Sequence, residues 1–289
     1  MMGPRSTWLS GKRLHLQHGP IDLIIGAEAA HPDAFSAAQG RFASILEELV
    51  SELALLRRPV GVDTRFEGAV AARMGAAVRG LDGVFVTPMA AVAGAVAEEV
   101  LAAMQAAAPL RRAYVNNGGD IALHLSPNCT PRPGFEVAIA GPQGHRLGVV
   151  SVDAETKVRG LATSGLGGRS LSMGIADSVT VLARSAAAAD VAATLIANDV
   201  DLPRHPAISR APANALQPDS DLGARAVVTA VGELSRGDIR RALDRGQRRA
   251  QAFHRAGLIE AAALFLRGAH RMVGHLPMTA PGSGRVEHA

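Results

Sequence analysis

Cysteine is almost absent from this chain: Cys129 is the only one in 289 residues. No intramolecular disulfide and no cysteine-rich metal site can form, which is compatible with a reducing compartment. Lysine is nearly missing too. Lys12 and Lys157 are the only two, so arginine carries almost all of the positive charge. Aromatic residues make up 3% of the chain, which leaves no stacking platform for nucleobases. The arginines are scattered along the sequence, with no basic block beyond Arg240-Arg241 and Arg248-Arg249. Nucleic acid is therefore not the expected partner. The histidines lack the spacing of a zinc site, and neither a Walker loop nor a Gly-x-Ser-x-Gly elbow occurs. The stretch from Met1 to Gly11 lacks the apolar segment of a secretory signal, so a cytoplasmic location is expected. The longest apolar run, from Gly83 to Val100, is broken at Thr87-Pro88 and closed by Glu98-Glu99. It reads as a buried helix rather than a membrane span, and no membrane association is expected.

What is present is apolar mass. Hydrophobic residues make up 48% of the chain, enough for a sizeable core without staples. One domain is expected over residues 11–275, with residues 1–10 as an N-terminal extension. Residues 276–289 form a polar tail expected to be disordered. Short apolar stretches around His18-Gly19-Pro20 predict a hairpin over 13–25. Phe42, Ile45, Leu46, Leu49 and Leu53 have helical spacing within 33–56, and a second helix is expected over 66–78. Thr87 and Pro88 read as an N-cap and first helical residue of a third helix reaching Ala106. That helix is apolar on nearly all faces, so it belongs in the middle of the fold. Gly94 inside it predicts a close approach to the backbone, because a helical glycine is about 1 kcal/mol worse than alanine. Strands are expected at 113–115, 121–125, 135–139, 147–152, 158–163, 178–182, 226–231 and 259–266, and helices at 186–197 and 236–254. Residues 201–223 read as a long loop. Short strands in series imply antiparallel sheet, hence an α+β fold with sheets packed against helices around a central buried helix. The alanine-rich helices leave room for a homodimer.

Three short motifs carry chemistry. Asn116-Asn117-Gly118-Gly119-Asp120 is first of all a hairpin turn. Its glycines also expose backbone amides and admit close approach of a ligand, with Asp120 as an acceptor at the rim. Ala162-Thr163-Ser164-Gly165 leads from a strand into a glycine loop. On its own it is a surface loop, but its hydroxyls and free amides suit phosphate oxygens, and Arg169 adds a bidentate anion donor. Asp190 and Thr194 lie at i and i+4, on one face of a helix. The plain reading has Asp190 charging the helix start and Thr194 packing.

In this order and spacing the three motifs, with Pro88-Met89-Ala90-Ala91-Val92-Ala93-Gly94 before them, resemble the ApbE superfamily. Its best-known members are FAD:protein FMN transferases, and the fit is closest to an ApbE-related branch carrying that Pro-Met run. The resemblance covers Gly11 to Gly274 and implies an ApbE-like fold. It also implies a pocket for FAD or a related flavin nucleotide at Asn117, Gly118, Gly119, Asp120, Thr163, Ser164, Gly165 and Arg169. Met89 is a further contact that could pack on a flat ring, although a methionine there is more often core. Asp190 and Thr194 are then the Mg²⁺ ligands, a sparse pair that phosphate and water would complete. The chain also departs from the transferases. Their lysine position is Ala93 here, and their His-x-Ile-Asp-Pro segment reads Ser170-Leu171-Ser172-Met173-Gly174-Ile175-Ala176-Asp177. Asp177 is the remaining catalytic candidate, balanced against a role in ending a turn. A nucleotide-binding ApbE-like protein is the leading expectation. A transferase with a divergent active site and a scaffold that has lost its ligand are the alternatives.

Overall fold

The computed structural model describes the chain except residues 1–2, 29–30, 82, 141–145, 169, 276–277 and 280–289. The strands are β1 (Arg5–Leu9), β2 (Arg13–His18), β3 (Ile21–Ala27), β4 (Arg112–Asn117), β5 (Asp120–Leu125), β6 (Gly134–Ala140), β7 (Arg146–Asp153), β8 (Gly160–Ser164), β9 (Ser178–Ala183), β10 (Ile208–Pro212), β11 (Ala226–Val231), β12 (Ala261–Leu266), β13 (Ala269–Gly274) and β14 (Met278–Thr279). Nine of them form one antiparallel sheet in the order β1-β2-β3-β4-β5-β8-β9-β12-β13. A smaller sheet has the order β14-β7-β6, and β10 pairs with β11. The helices are α1 (Pro32–Ser51), α2 (Leu53–Leu56), α3 (Ala69–Val78), α4 (Val92–Ala107), α5 (Ala186–Asp199), α6 (Ala213–Leu216) and α7 (Arg236–Arg255).

Alternation along the strands divides the core in two. Leu14, Leu16, Leu23, Ile25, Val115, Val179, Val181 and Leu264 face the helices. Leu123, Leu125, Leu161, Leu182 and Ala263 face the other way, against Ile139, Val150 and Val152 of the small sheet. Successive strand residues point to opposite faces, so one run of apolar residues serves both layers. The fold is α+β, as expected, and the apolar helix sits at its centre. α4 packs against α1, α3 and α5 and against β4 and β5. The segment Pro88–Ala107 is long and apolar enough to cross a membrane, yet one side of it, from Gly94 to Met104, is buried against these neighbours.

Several boundaries differ from the expectation. The third helix starts with a 3-10 turn, Pro88–Ala91, before α4. Thr87 stands at its N-cap position with Pro88 next, but the Thr87 side chain makes no capping hydrogen bond. Its hydroxyl donates to Asp221 Oδ2 at 2.5 Å instead. The stretch 201–223 read as a loop contains β10 and α6. β13 was not anticipated. Arg5–Leu9, within the expected extension, is the edge strand of the large sheet. Met278–Thr279, within the tail expected to be disordered, pairs with Val150 and Val149.

α7 starts with a reciprocal capping box. Ser235 Oγ accepts from Asp238 N at 3.1 Å, and Asp238 Oδ2 accepts from Ser235 N at 3.1 Å. Ser235→Ala should lower stability by about 1 kcal/mol, the usual worth of an N-cap side chain. Urea denaturation of the two proteins measures it.

Candidate functional site

The turn between β4 and β5 is built as the Asn-Gly-Gly-Asp run demands. Asn117 and Asp120 are the last paired residues, and Gly118 and Gly119 take φ of +65° and +111°. Side chains resist such angles, which is why glycines stand there. Asn116 Oδ1 accepts from Gly119 N at 2.8 Å and locks the turn. Asn117 is buried, and its Nδ2 donates to the carbonyl of Ala93 at 3.1 Å. This ties the turn to the first residues of α4.

Asp120 looks across to the next strand in the sheet. Its Oδ1 accepts from Thr163 N at 3.2 Å. The Thr163 and Thr180 hydroxyls lie 2.9 Å apart across the β8–β9 pair. Asp190, on α5, accepts from Gly94 N at 3.1 Å. Burial pushes the Asp190 carboxyl well above its ordinary range, and the nearby Asp120 charge pushes the same way. The amides of Gly94 and Ala93 pull against them and lose.

Four segments distant in sequence therefore meet: the Asn116–Asp120 turn, Thr163 at the end of β8, the start of α4, and Asp190 on α5. Asn117, Gly118, Gly119, Asp120, Thr163 and Asp190 belong to this group. Ala93, Gly94 and Thr180 join it without having been expected as contacts. Gly94 alone carried a signal, as a glycine inside a helix.

Other expected residues serve different ends. Gly165 has φ of +146°, and a Cβ there would lie 2.7 Å from the Asp177 carbonyl oxygen. With Leu166 N donating to Ala176 O at 2.9 Å, the glycine loop folds back on residues 176–177. Ser164 closes the β8 pairing opposite Val179. Met89 is part-buried and packs on the main core, in keeping with its plainer reading. Thr194 stands one turn beyond Asp190 on α5. Asp177 Oδ2 accepts from Arg267 N in the β12–β13 turn, where Arg267 has φ of +49°. Its carboxylate stabilises that turn. Arg169 lies outside the described residues. Asn198 Oδ1 accepts from Met173 N at 3.0 Å and anchors the segment before Asp177.

Among the described residues no cluster of three metal-ligating side chains occurs. One concavity of about 410 Å³ opens beside Val60, Val62, Leu81, Val84 and Val86, just before the turn into α4. Another of about 310 Å³ lies at Asp199 and α7. Neither is lined by the convergent residues. The case for the site rests on that convergence rather than on cavity size.

Fold and convergent motifs together define an ApbE-type α+β protein. Residues 5–272 match the model of the family described as AbpE bacteria, and the chain belongs to that family. The UPF0280 protein MJ1526 of Methanocaldococcus jannaschii is 38% identical over 115 residues, 39% of this chain and 44% of that protein. The chain spans about half the length, or less, of the curated relatives it matches. Among solved structures, the ApbE protein of Thermotoga maritima aligns over 92% of this chain and 96% of its own, at 11% identity and TM-score 0.49. The apo form of the Pseudomonas stutzeri flavinyl transferase ApbE aligns over 93% of each chain, at 12% identity and TM-score 0.45.

Proposed function

We propose that this chain is a cytoplasmic protein that binds FAD or a related flavin nucleotide, its phosphates joined to Asp190 by a magnesium ion. One observation carries the reading: the Asn116–Asp120 turn, Thr163, the start of α4 and Asp190, all distant in sequence, converge, and the Asp120 charge falls on Asp190. A part-buried carboxylate beside a second one is a liability in a pure scaffold. A divalent cation relieves it, and Mg²⁺ suits a site with few protein oxygens, because it takes phosphate and water for the rest. The donor set fits in kind: hard oxygens, no thiolate and no imidazole. Asp190 is the primary ligand, with Asp120 as the second nearby charge and Thr194 on the same helix face. When bound, the ion neutralises phosphate charge and fixes the diphosphate against the protein.

The chain's own residues do the rest. The glycine turn at 118–119 allows the nucleotide to approach the backbone. Thr163 gives its amide to Asp120 and pairs its hydroxyl with that of Thr180, so the hydroxyl of this segment offered to phosphate oxygens is that of Ser164. Asn117, held on the Ala93 carbonyl, keeps the turn and α4 in fixed relation. Transfer of FMN to a protein acceptor is the weaker reading. Ala93 replaces the lysine of the transferases, no histidine lies between His145 and His205, and the Asp177 carboxylate is engaged by the Arg267 amide.

Calorimetric titration of FAD, FMN and ADP into the wild-type protein tests the proposal, with Mg²⁺ and then with EDTA. Tighter nucleotide binding with Mg²⁺ is expected, by the 5–150-fold (about 1–3 kcal/mol) typical of coupled sites. Equal affinity in both buffers would remove the metal from the site. Absence of nucleotide binding in either would leave only the fold.

A further inference from the structure

The net charge of this chain is +4, and more than all of it sits on one helix. α7 holds seven arginines against two aspartates. Both aspartates are engaged, Asp238 in the capping box and with Arg241, Asp244 with Arg271. The arginines that look scattered in sequence recur at helical spacing, and this gathers them in space.

Arg245, Arg248, Arg249 and Ala252 stand at i, i+3, i+4 and i+7 on one face of α7. With Asp199 at the end of α5 they line a concavity of about 310 Å³. Arg249 is held in place. Its Nε donates to Asp199 Oδ2 at 2.7 Å, and its guanidinium lies 5.6 Å from the centre of the Phe253 ring. Arg245 and Arg248 are exposed and have no hydrogen-bond or ion-pair partner among the described residues. Like charges at this spacing destabilise a helix slightly, so folding gains nothing from placing Arg245 and Arg248 beside Arg249. Nine residues along α5 separate Asp199 from Asp190, about 13 Å of helix, so the two places are distinct.

The geometry points to a second anion site, in which Arg245 and Arg248 take a small phosphorylated ligand carrying at least two negative charges against the wall made by Arg249 and Asp199. Guanidinium forks match phosphate oxygens bidentately, which arginine does and lysine does not. The three guanidiniums against one carboxylate leave a surplus that a dianion neutralises. A diphosphate group fits a concavity of this size, and the scarcity of aromatics leaves no stacking partner for the bases of a single strand.

The test is a titration of inorganic pyrophosphate into the full chain at low ionic strength in EDTA, which withholds the metal from Asp190. Wild-type protein is expected to bind at one site, with affinity that falls as salt is added. Arg245→Gln with Arg248→Gln should weaken it about tenfold or more without lowering the melting temperature. If that pair does not fold, Arg245→Lys with Arg248→Lys keeps the charge and loses the forks, and intermediate affinity is expected. Affinity unchanged in either folded double variant would overturn the assignment, because the anion would then bind elsewhere. A short DNA duplex that displaces pyrophosphate at far lower concentration would also overturn it, in favour of a polymer backbone. Failure here leaves the Mg²⁺-dependent reading untouched, since that reading is decided by the difference in nucleotide affinity between Mg²⁺ and EDTA.

Discussion

Asp190→Asn is expected to stabilise the metal-free protein at neutral pH and to abolish the Mg²⁺ dependence of nucleotide binding. Burial, then the Asp120 charge, raise the folded-state pKa of Asp190 above its ordinary 3.8. The unfolded chain releases this proton near that ordinary value. From there up to the raised value, the native chain holds a proton that the unfolded chain has lost. Stability falls with rising pH wherever the native state binds more protons. The wild-type protein in EDTA should therefore lose stability relative to the variant as the pH rises above about 4. Below pH 4 the two curves should run parallel, with both side chains neutral. Asparagine keeps an oxygen for the Gly94 amide and carries no charge, so it removes the penalty and keeps the contact. Asp190 retains some surface open to water, which moderates the gain to about 1–2 kcal/mol at pH 7, the low end for a buried group denied its partner. Added Mg²⁺ should stabilise the wild type, because the ion binds the ionised carboxylate, and should leave the variant unchanged. Denaturation series at pH 4 to 8, with Mg²⁺ and with EDTA, give all four curves. A wild type as stable as the variant at pH 7 in EDTA would mean that Asp190 carries no penalty for a cation to relieve.

Where local chemistry alone decides the conformation, the structure could be read in the sequence. The hairpin at Gly19-Pro20, the α1 stripe of Phe42, Ile45, Leu46 and Leu49, and the double-glycine turn after Asn117 all lie where residue type and spacing place them. β10 was hidden because its position depends on distant polar partners. Arg210 on it donates to the Met173 carbonyl and the Asp201 carboxylate, and only Ile208 along the strand is buried. β13 was hidden in the same way, since Arg271 at its centre is held by Asp244 of α7. The site divides similarly. Asp120, Thr163 and Asp190 have side chains whose chemistry can be weighed in isolation. Ala93 contributes a carbonyl, which every residue has, so only the fold could single it out, whereas Gly94, which contributes an amide, was marked as a glycine inside a helix. The basic face of α7 shows the reverse. Each arginine was visible, but the seventeen residues from Arg236 to Gln251 and Ala252 look diluted by alanine and glycine until the helix winds them into register.

The same replacement, glycine to alanine, should have opposite effects in two helices. In α1, Gly40 is exposed, and a Cβ there would meet nothing within 4 Å. Gly40→Ala should stabilise by up to about 1 kcal/mol, the propensity gain of alanine in a helix. Gly94 of α4 would gain the same propensity, yet its Cβ would lie 2.3 Å from the Ala186 carbonyl oxygen, 2.4 Å from that carbonyl carbon and 2.7 Å from Ala187 N. All three are backbone atoms, so no side chain can swing aside. Nor can α5 easily retreat. Glu98 Oε1 accepts from Ala187 N at 2.8 Å, and Gly160 of β8 abuts Ser185 and Ala186 so closely that its own Cβ would lie 2.1 Å from Ala186 N. Overpacking of this kind typically costs 1–3 kcal/mol and more where backbone must move, so Gly94→Ala should destabilise by about 3 kcal/mol net of its propensity gain. Moving α4 from α5 also lengthens the Gly94–Asp190 hydrogen bond and displaces the Ala93 carbonyl from Asn117. Nucleotide affinity should therefore fall with stability in this variant and stay at the wild-type level in Gly40→Ala. Chemical denaturation and one calorimetric titration of each variant decide it. A Gly94→Ala protein as stable as wild type would show that the α4–α5 crossing is looser than the structure has it, and the site would lose its rigid floor.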